Sequence, residues 1–139
     1  MLVVPPEEPT FEEWRPGVGT RLLAAAATGA TGLCVMEQWT EPGAGAPTHS
    51  HLDVEEVIIV LEGTAEFWVG EERALLTAGS TLVVPPHARH GYRNAGSEPL
   101  HLYAVFNSAS PPMAYEGDPA GVLELGSAKT GPQRRPRGD

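Results

Sequence analysis

Residues 43–63 read GAGAPTHSHLDVEEVIIVLEG, and the arrangement of the chain follows from this stretch. It begins in a loop rich in Gly, Ala and Pro, passes His49 and His51, and ends in an apolar run that begins after Glu56. The two histidines are two residues apart, so an extended backbone directs both imidazoles to one face. The run that follows is apolar on both faces, which is typical of a central strand.

A second stretch, residues 79–94, reads GSTLVVPPHARHGYRN and supplies another histidine. A bend after His51 would let Glu56 face the same interior as the first two imidazoles. His90 begins a run in which Tyr92 shares its face, so a hairpin-related strand can bring a third imidazole to the site. Three imidazoles and one carboxylate suit Fe, Mn, Ni, Co, Cu or Zn, and they can leave coordination positions for water, oxygen or substrate.

The spacing within both stretches resembles the two motifs of the cupin family. The first motif is Gly, five residues, His-x-His, four residues, Glu, six residues, Gly, and its positions here are Gly43, His49, His51, Glu56 and Gly63. The second is Gly, five residues, Pro-x-Gly, two residues, His, three residues, Asn, and its matching positions are Gly79, Pro85, His90 and Asn94. One position departs from the pattern, because His87 stands where the second motif has glycine.

The resemblance implies an all-β fold, the double-stranded β-helix or jelly-roll barrel of cupins, which commonly dimerises. It also implies that His49, His51, Glu56 and His90 are metal ligands for one divalent transition metal per chain (Fe, Mn, Ni, Cu, Co or Zn). Taken without the motif spacing, the two neighbouring histidines are better interpreted as polar residues at a strand end.

The rest of the chain consists of short β-compatible runs separated by turns. Its 16 Gly and 14 Pro punctuate these runs, as in sandwiches and closed barrels. Because the first run, residues 20–27, contains several alanines, a helix is the alternative to a strand there. The expected organisation is an extended N-terminal arm at 1–19, a barrel at 20–126 and a disordered tail at 127–139. Within the barrel, the prolines from Ser108 on predict an irregular strap, in which residues 122–125 could form a short strand.

Charge and composition narrow the classes of partner. The net charge of −9 and a pI near 4.9 disfavour nucleic acid and anionic membrane surfaces, which leaves a small molecule as the expected partner. The longest apolar stretch, residues 22–27, is too short to span a bilayer. Cys34 is the single cysteine and the first residues lack the features of a signal peptide, so we expect a cytoplasmic protein with Cys34 as a buried apolar residue.

Five further polar residues receive individual interpretations. Tyr92 is expected to line the cavity, and Asn94 to satisfy backbone groups at the strand end. Gln38 could hold a metal-bound water. His87 is interpreted as a solvated loop residue, with a pocket wall as the alternative, and a positive φ there would require strain or a different turn. His101 is interpreted as an ordinary strand residue.

Three functional classes are compatible with this site. The first is a metal-dependent dioxygenase acting on a small oxygen-rich molecule such as an enol, phenol or β-dicarbonyl, with Glu56 and Tyr92 as the catalytic candidates. The second is a non-redox isomerase, cyclase or lyase in which the metal polarises a carbonyl. The third is a cupin that binds a small molecule without turning it over.

Overall fold

Short antiparallel strands form almost all of the regular structure. The computed structural model describes residues 1–119 and 121–134. The strands are β1 (Glu12–Arg15), β2 (Val18–Ala24), β3 (Cys34–Thr40), β4 (Gly45–Ser50), β5 (Glu56–Glu62), β6 (Thr64–Val69), β7 (Glu72–Thr77), β8 (Thr81–Val84), β9 (His90–Arg93), β10 (Leu100–Phe106), β11 (Pro112–Tyr115), β12 (Leu123–Glu124) and β13 (Gln133–Arg134). One 3₁₀ turn, Ala26–Thr28, follows β2, and no described helix is long and apolar enough to cross a membrane.

Two sheets face each other across the core. The first has the order β1-β2-β3-β10-β5-β8, and the second has the order β13-β12-β11-β4-β9-β6-β7. Strands that follow one another in sequence, such as β3, β4 and β5, alternate between the sheets, so the chain winds around the core. This arrangement confirms the predicted all-β jelly-roll barrel.

The apolar run of the first motif forms β5, and it is central as predicted, between β10 and β8. Ile58 and Val60 are buried in the core, whereas Val57 and Ile59 on the opposite face are half-buried. Glu56 has the same parity as the core residues, so the first residue of β5 also points inward. The strand therefore carries one ionisable group into an otherwise apolar interior.

Several expectations about the ends of the chain need correction. The predicted arm is wrong for residues 12–19, because β1 and the start of β2 pair within the first sheet. The irregular segment after residue 108 contains β11, which pairs with β4. In the predicted tail, β13 pairs with β12, while residues 135–139 lie outside the described part of the chain. Prolines and scattered charges obscured the period-2 pattern in these short strands.

The loop expected before the first histidine pair ends earlier than predicted, because β4 already begins at Gly45. Pro47 lies inside β4, where it lacks an N–H to donate. The β4–β9 register shifts between Ala46 and His49, so Pro47 stands at an irregularity that does not require a ladder hydrogen bond.

Candidate metal centre

Four ionisable side chains from separate parts of the barrel converge at one point. His49 is on β4, His51 follows the end of β4, Glu56 opens β5, and His90 opens β9. His49 and His90 are direct partners across the β4–β9 pair. All four are buried, and one potential ligand atom from each lies within 4.8 Å of the others. The structure thus brings together the whole set of ligands that the sequence predicted.

The turn between His51 and Glu56 makes this convergence possible. Asp53 adopts a left-handed conformation, with φ of 59°, within the bend predicted after His51. The bend resets the alternation of the strand, so that the carboxylate of Glu56 returns to the side on which the imidazoles lie.

Backbone carbonyls fix the orientation of all three imidazoles. Each Nδ1 donates to one carbonyl oxygen: His49 to Pro47 at 2.7 Å, His51 to Pro112 at 2.9 Å, and His90 to Ala88 at 2.8 Å. A carbonyl can only accept, so Nδ1 carries the proton and, in the neutral ring, Nε2 keeps its lone pair. Such outer hydrogen bonds are what hold metal-binding histidines in position.

The inward-facing atoms fit a cation. Nε2 of His90 lies 2.8 Å from Oε1 of Glu56, and Nε2 of His51 lies 3.4 Å from the same oxygen. Nε2 of His51 is buried without a hydrogen-bond partner among the described residues. An orphaned buried nitrogen is costly. A divalent transition metal would satisfy it together with the other three donors.

The charges around the site favour the ligating protonation states of Glu56 and His49. Burial alone would raise the pKa of Glu56, but the adjacent imidazoles of His51 and His90 lower it well below its usual range. Burial, with the neighbouring His90 and His51, lowers the pKa of His49 to about 3. Burial also opposes protonation of His90, yet its contact with Glu56 raises its pKa overall. Glu56 is therefore an anion and His49 a neutral imidazole at neutral pH.

A cavity of about 470 Å³, its open mouth included, adjoins the four residues. Its walls are mainly apolar, and they include Met36, Ala46, Ile58, Leu102, Ala104, Phe106, Met113 and Leu125. The other polar or aromatic lining groups include Trp14, Arg15, Gln38 and Tyr92. A mostly apolar cavity with few polar groups is the usual form of a small-molecule site.

The comparison with protein families agrees with this geometry. The model of the cupin domain family matches residues 37–106, which is half of the chain and contains both motifs. The chain belongs to the cupin family.

Individual relatives of this cupin are distant. It is similar to a germin-like protein from Morus alba, with 30% identity over 68% of this chain and 53% of the relative. Among solved structures, an RmlC-like cupin from Shewanella frigidimarina has a TM-score of 0.66 and 25% identity, covering 77% of this chain and 90% of the other. An oxalate oxidase in complex with glycolate has a TM-score of 0.65 and 23% identity, covering 71% and 55%. The chain spans about half the length of the first curated relatives it matches.

The remaining polar predictions are met in part. Tyr92 is buried in the cavity wall, where its hydroxyl contacts Oγ1 of Thr40 at 2.8 Å and Oε1 of Gln38 at 3.3 Å. Asn94 satisfies backbone groups as expected, because its Nδ2 donates to the carbonyls of Thr40 and Glu98. Gln38 lines the cavity of this cupin. Its role in holding a metal-bound water stays a prediction.

Two further predictions concern side chains away from the cavity. His101 lies on the outer face of the first sheet, where its ring stacks on Trp39 with the centroids 3.8 Å apart. Cys34 is buried, and burial together with the charge of Glu56 raises the pKa of its thiol to about 12, so it behaves as an apolar residue.

Several cavity residues had no signal in the sequence. Trp14 and Arg15 come from the segment predicted as an arm, and Met113 and Leu125 come from the segment predicted as an irregular strap. None of them belongs to a motif, and apolar residues in short strands read as ordinary core. The pairing of β1, β11 and β12 within the barrel places them at the site.

His87 is the position at which this cupin departs from the second motif, and its backbone remains left-handed. Its φ is 66°, its side chain is exposed, and Nε2 lies 2.7 Å from Oδ1 of Asp53. Its N–H donates to the carbonyl of His51 at 2.9 Å. The described cavity lining does not include His87. The residue is thus a solvated loop histidine in a conformation that favours glycine.

We expect the His87→Gly variant to be more stable against unfolding than the His87→Ala variant. In a strand the order is usually the reverse. The left-handed conformation costs a residue with a Cβ on the order of 1 kcal/mol, and glycine avoids this cost. Urea unfolding of His87→Gly and His87→Ala measures the difference. Ala74→Gly, at an exposed position in β7, is the control and should be destabilising by about 0.5–1 kcal/mol. Equal stability of the two His87 variants would contradict the prediction.

Proposed function

We propose that this cupin is a metal-dependent dioxygenase acting on a small, oxygen-rich organic molecule such as an enol, phenol or β-dicarbonyl. The observation that carries the proposal is the buried group of three imidazoles and one carboxylate beside a mostly apolar cavity. Such a ligand set can leave coordination positions for a substrate and dioxygen. The cytoplasmic location expected from the sequence stays a prediction.

The four residues would hold one Fe, Mn, Ni, Cu, Co or Zn ion. When bound, the ion supplies Lewis acidity and, for the redox-active metals, electron transfer. The chain's own residues have separate tasks. Glu56 would serve as a ligand and, when it detaches, as the base that accepts a proton from a substrate hydroxyl at its carboxylate oxygen. The apolar walls exclude water from this transfer.

Tyr92 is the second catalytic candidate, as a hydrogen-bond donor to the substrate. Burial raises the pKa of its hydroxyl above the usual value, so it is a neutral phenol at neutral pH. Thr40 and Gln38 hold the hydroxyl in the cavity wall. A fixed, neutral donor can orient a substrate oxygen without competing with Glu56 for its proton.

The structural likeness to oxalate oxidase is consistent with this proposal but adds only the fold. That protein is named for a redox reaction on a small oxygenated acid. Because the identity is 23%, its substrate is not carried over to this chain.

Oxygen uptake tests the proposal. The protein is reconstituted with each of the six metals in turn and offered a panel of enols, phenols and β-dicarbonyls. We expect substrate-dependent dioxygen consumption with a redox-active metal, reduced about 100-fold in Glu56→Gln and about 10-fold in Tyr92→Phe at equal metal content. Uptake that never depends on a substrate would overturn the proposal. Full turnover with Zn and without oxygen would favour the isomerase, cyclase or lyase class instead.

We further propose that two copies associate through the outer face of the first sheet. Trp39 and Val83 there are 37% and 53% exposed, and half-buried Val57, Ile59 and Tyr103 lie on the same face. Apolar surface of this kind is stabilised when a second copy covers it. Sedimentation equilibrium should give twice the chain mass of 14.7 kDa, lowered to the monomer in Val83→Glu. A monomer for the unmodified protein would contradict this part of the proposal.

A further inference from the structure

Arg15, the last residue of β1, brings a positive charge to the wall of the cavity. Its Nε donates to the carbonyl of Gly45 at 3.3 Å, and its Nη1 donates to the hydroxyl of Tyr115 at 2.9 Å. Both acceptors are neutral. The ion pairs found among the described residues do not include Arg15. A half-buried guanidinium is thus held in place without an ion pair to any acidic residue in the described part of the chain.

The contacts of Arg15 place it one side chain away from the metal centre. Tyr115, which accepts its hydrogen bond, is paired with His49 across β11 and β4, and the two rings are 5.9 Å apart. Gly45 lies on β4, the strand that carries His49. The charge of Arg15 also acts on the Tyr92 hydroxyl. The guanidinium and the four-residue group therefore border the same small cavity.

The charges that line this cavity favour an anionic ligand. Within the described lining, Glu56 is the one acidic residue, and it contacts His90 and His51. A divalent cation held there would outweigh that single negative charge, and Arg15 adds another positive charge nearby. With such a cation bound, the cavity would be locally positive in a chain whose net charge is −9. Apolar walls strengthen such a field because they lower the local dielectric.

We infer that Arg15 selects ligands that carry a carboxylate, binding it with the guanidinium while another oxygen of the ligand faces His49, His51, Glu56 and His90. A guanidinium offers paired N–H donors whose spacing matches a carboxylate. The inference rests on the proposed function in taking this cavity as the substrate site, and it narrows the substrate class to oxygenated organic acids. The second oxygen of such an acid would be the hydroxyl, enol or phenol that the reaction uses.

Matched acids and amides test the inference by binding alone. Glycolate with glycolamide, and salicylate with salicylamide, differ mainly in negative charge. Calorimetric titration of the metal-reconstituted protein at 0.15 M salt should show at least one acid binding more tightly than its amide. Arg15→Gln should weaken that acid about 10- to 100-fold and leave the amide unchanged. Arg15→Lys should recover part of the loss, because the charge remains but the paired geometry does not.

Arg73→Gln is the matched control, because Arg73 is an exposed arginine on β7 paired with Glu66. It should bind both acids as the unmodified protein does. The inference is overturned if neither acid binds more tightly than its amide, or if a folded Arg15→Gln or Arg15→Lys with full metal content binds the acid unchanged. Because no turnover is measured, discrimination by Arg15 without any oxygen uptake would refute the dioxygenase and leave the carboxylate site standing.

Discussion

Replacing His49 and His51 together by alanine is expected to abolish metal binding. The unmodified protein, reconstituted and desalted, should retain about one equivalent of a divalent transition metal per chain, and the double variant less than about a tenth of that. The physical reason is that the variant keeps only Glu56 and His90, two donors that already contact each other at 2.8 Å. Elemental analysis of both proteins after the same treatment is the measurement.

His101→Ala provides the control for removing a histidine. Its imidazole lies on the outer face of the first sheet, stacked on Trp39, so the variant should keep the full equivalent of metal. If the unmodified protein holds no metal even after reconstitution, the catalytic proposal fails. If zinc is the one metal retained under all loading conditions, the non-redox class gains weight.

Gly45→Ala is expected to cost about 3 kcal/mol or more of unfolding free energy. A Cβ at this position would lie 2.0 Å from the carbonyl oxygen of Tyr92 and 2.8 Å from Cα of Arg93. Both atoms are backbone of β9, so the contact cannot be relieved by a rotamer change. The two strands would have to separate where β4 carries His49 and β9 carries His90. Urea unfolding gives the change in stability.

Gly32→Ala is the matched substitution, since a Cβ there meets no atom within 4 Å. It should change the unfolding free energy by less than about 0.5 kcal/mol. Metal affinity should also fall in Gly45→Ala and stay constant in Gly32→Ala, because only the first displaces ligand-bearing strands. Similar stability of the two variants would show that β4 and β9 are not packed as closely as described.

The local sequence pattern was sufficient to predict the parts of the site that lie within one strand or turn. The two-residue spacing of His49 and His51 leads both imidazoles toward the metal centre, and the apolar run after Glu56 becomes the central strand β5. The spacing of the second motif predicted His90. In the structure, the register between β4 and β9 pairs His90 directly with His49. The left-handed backbone at position 87 was also foreseeable, because the motif has glycine there.

The sequence by itself thus predicted the barrel and the four candidate donors. Period-2 alternation and turn residues act over a few neighbouring positions, and the resemblance to the two cupin motifs implied the full set of donors. The tertiary structure alone decided what surrounds those donors. Arg15 donates a hydrogen bond to Tyr115, which lies 100 positions later in the sequence. His51 donates one to the carbonyl of Pro112, which lies 61 positions later. Contacts so far apart depend on which strands pair and in which register. No local pattern encodes them, and it is these contacts that orient the His51 imidazole and hold the charge of Arg15 at the cavity.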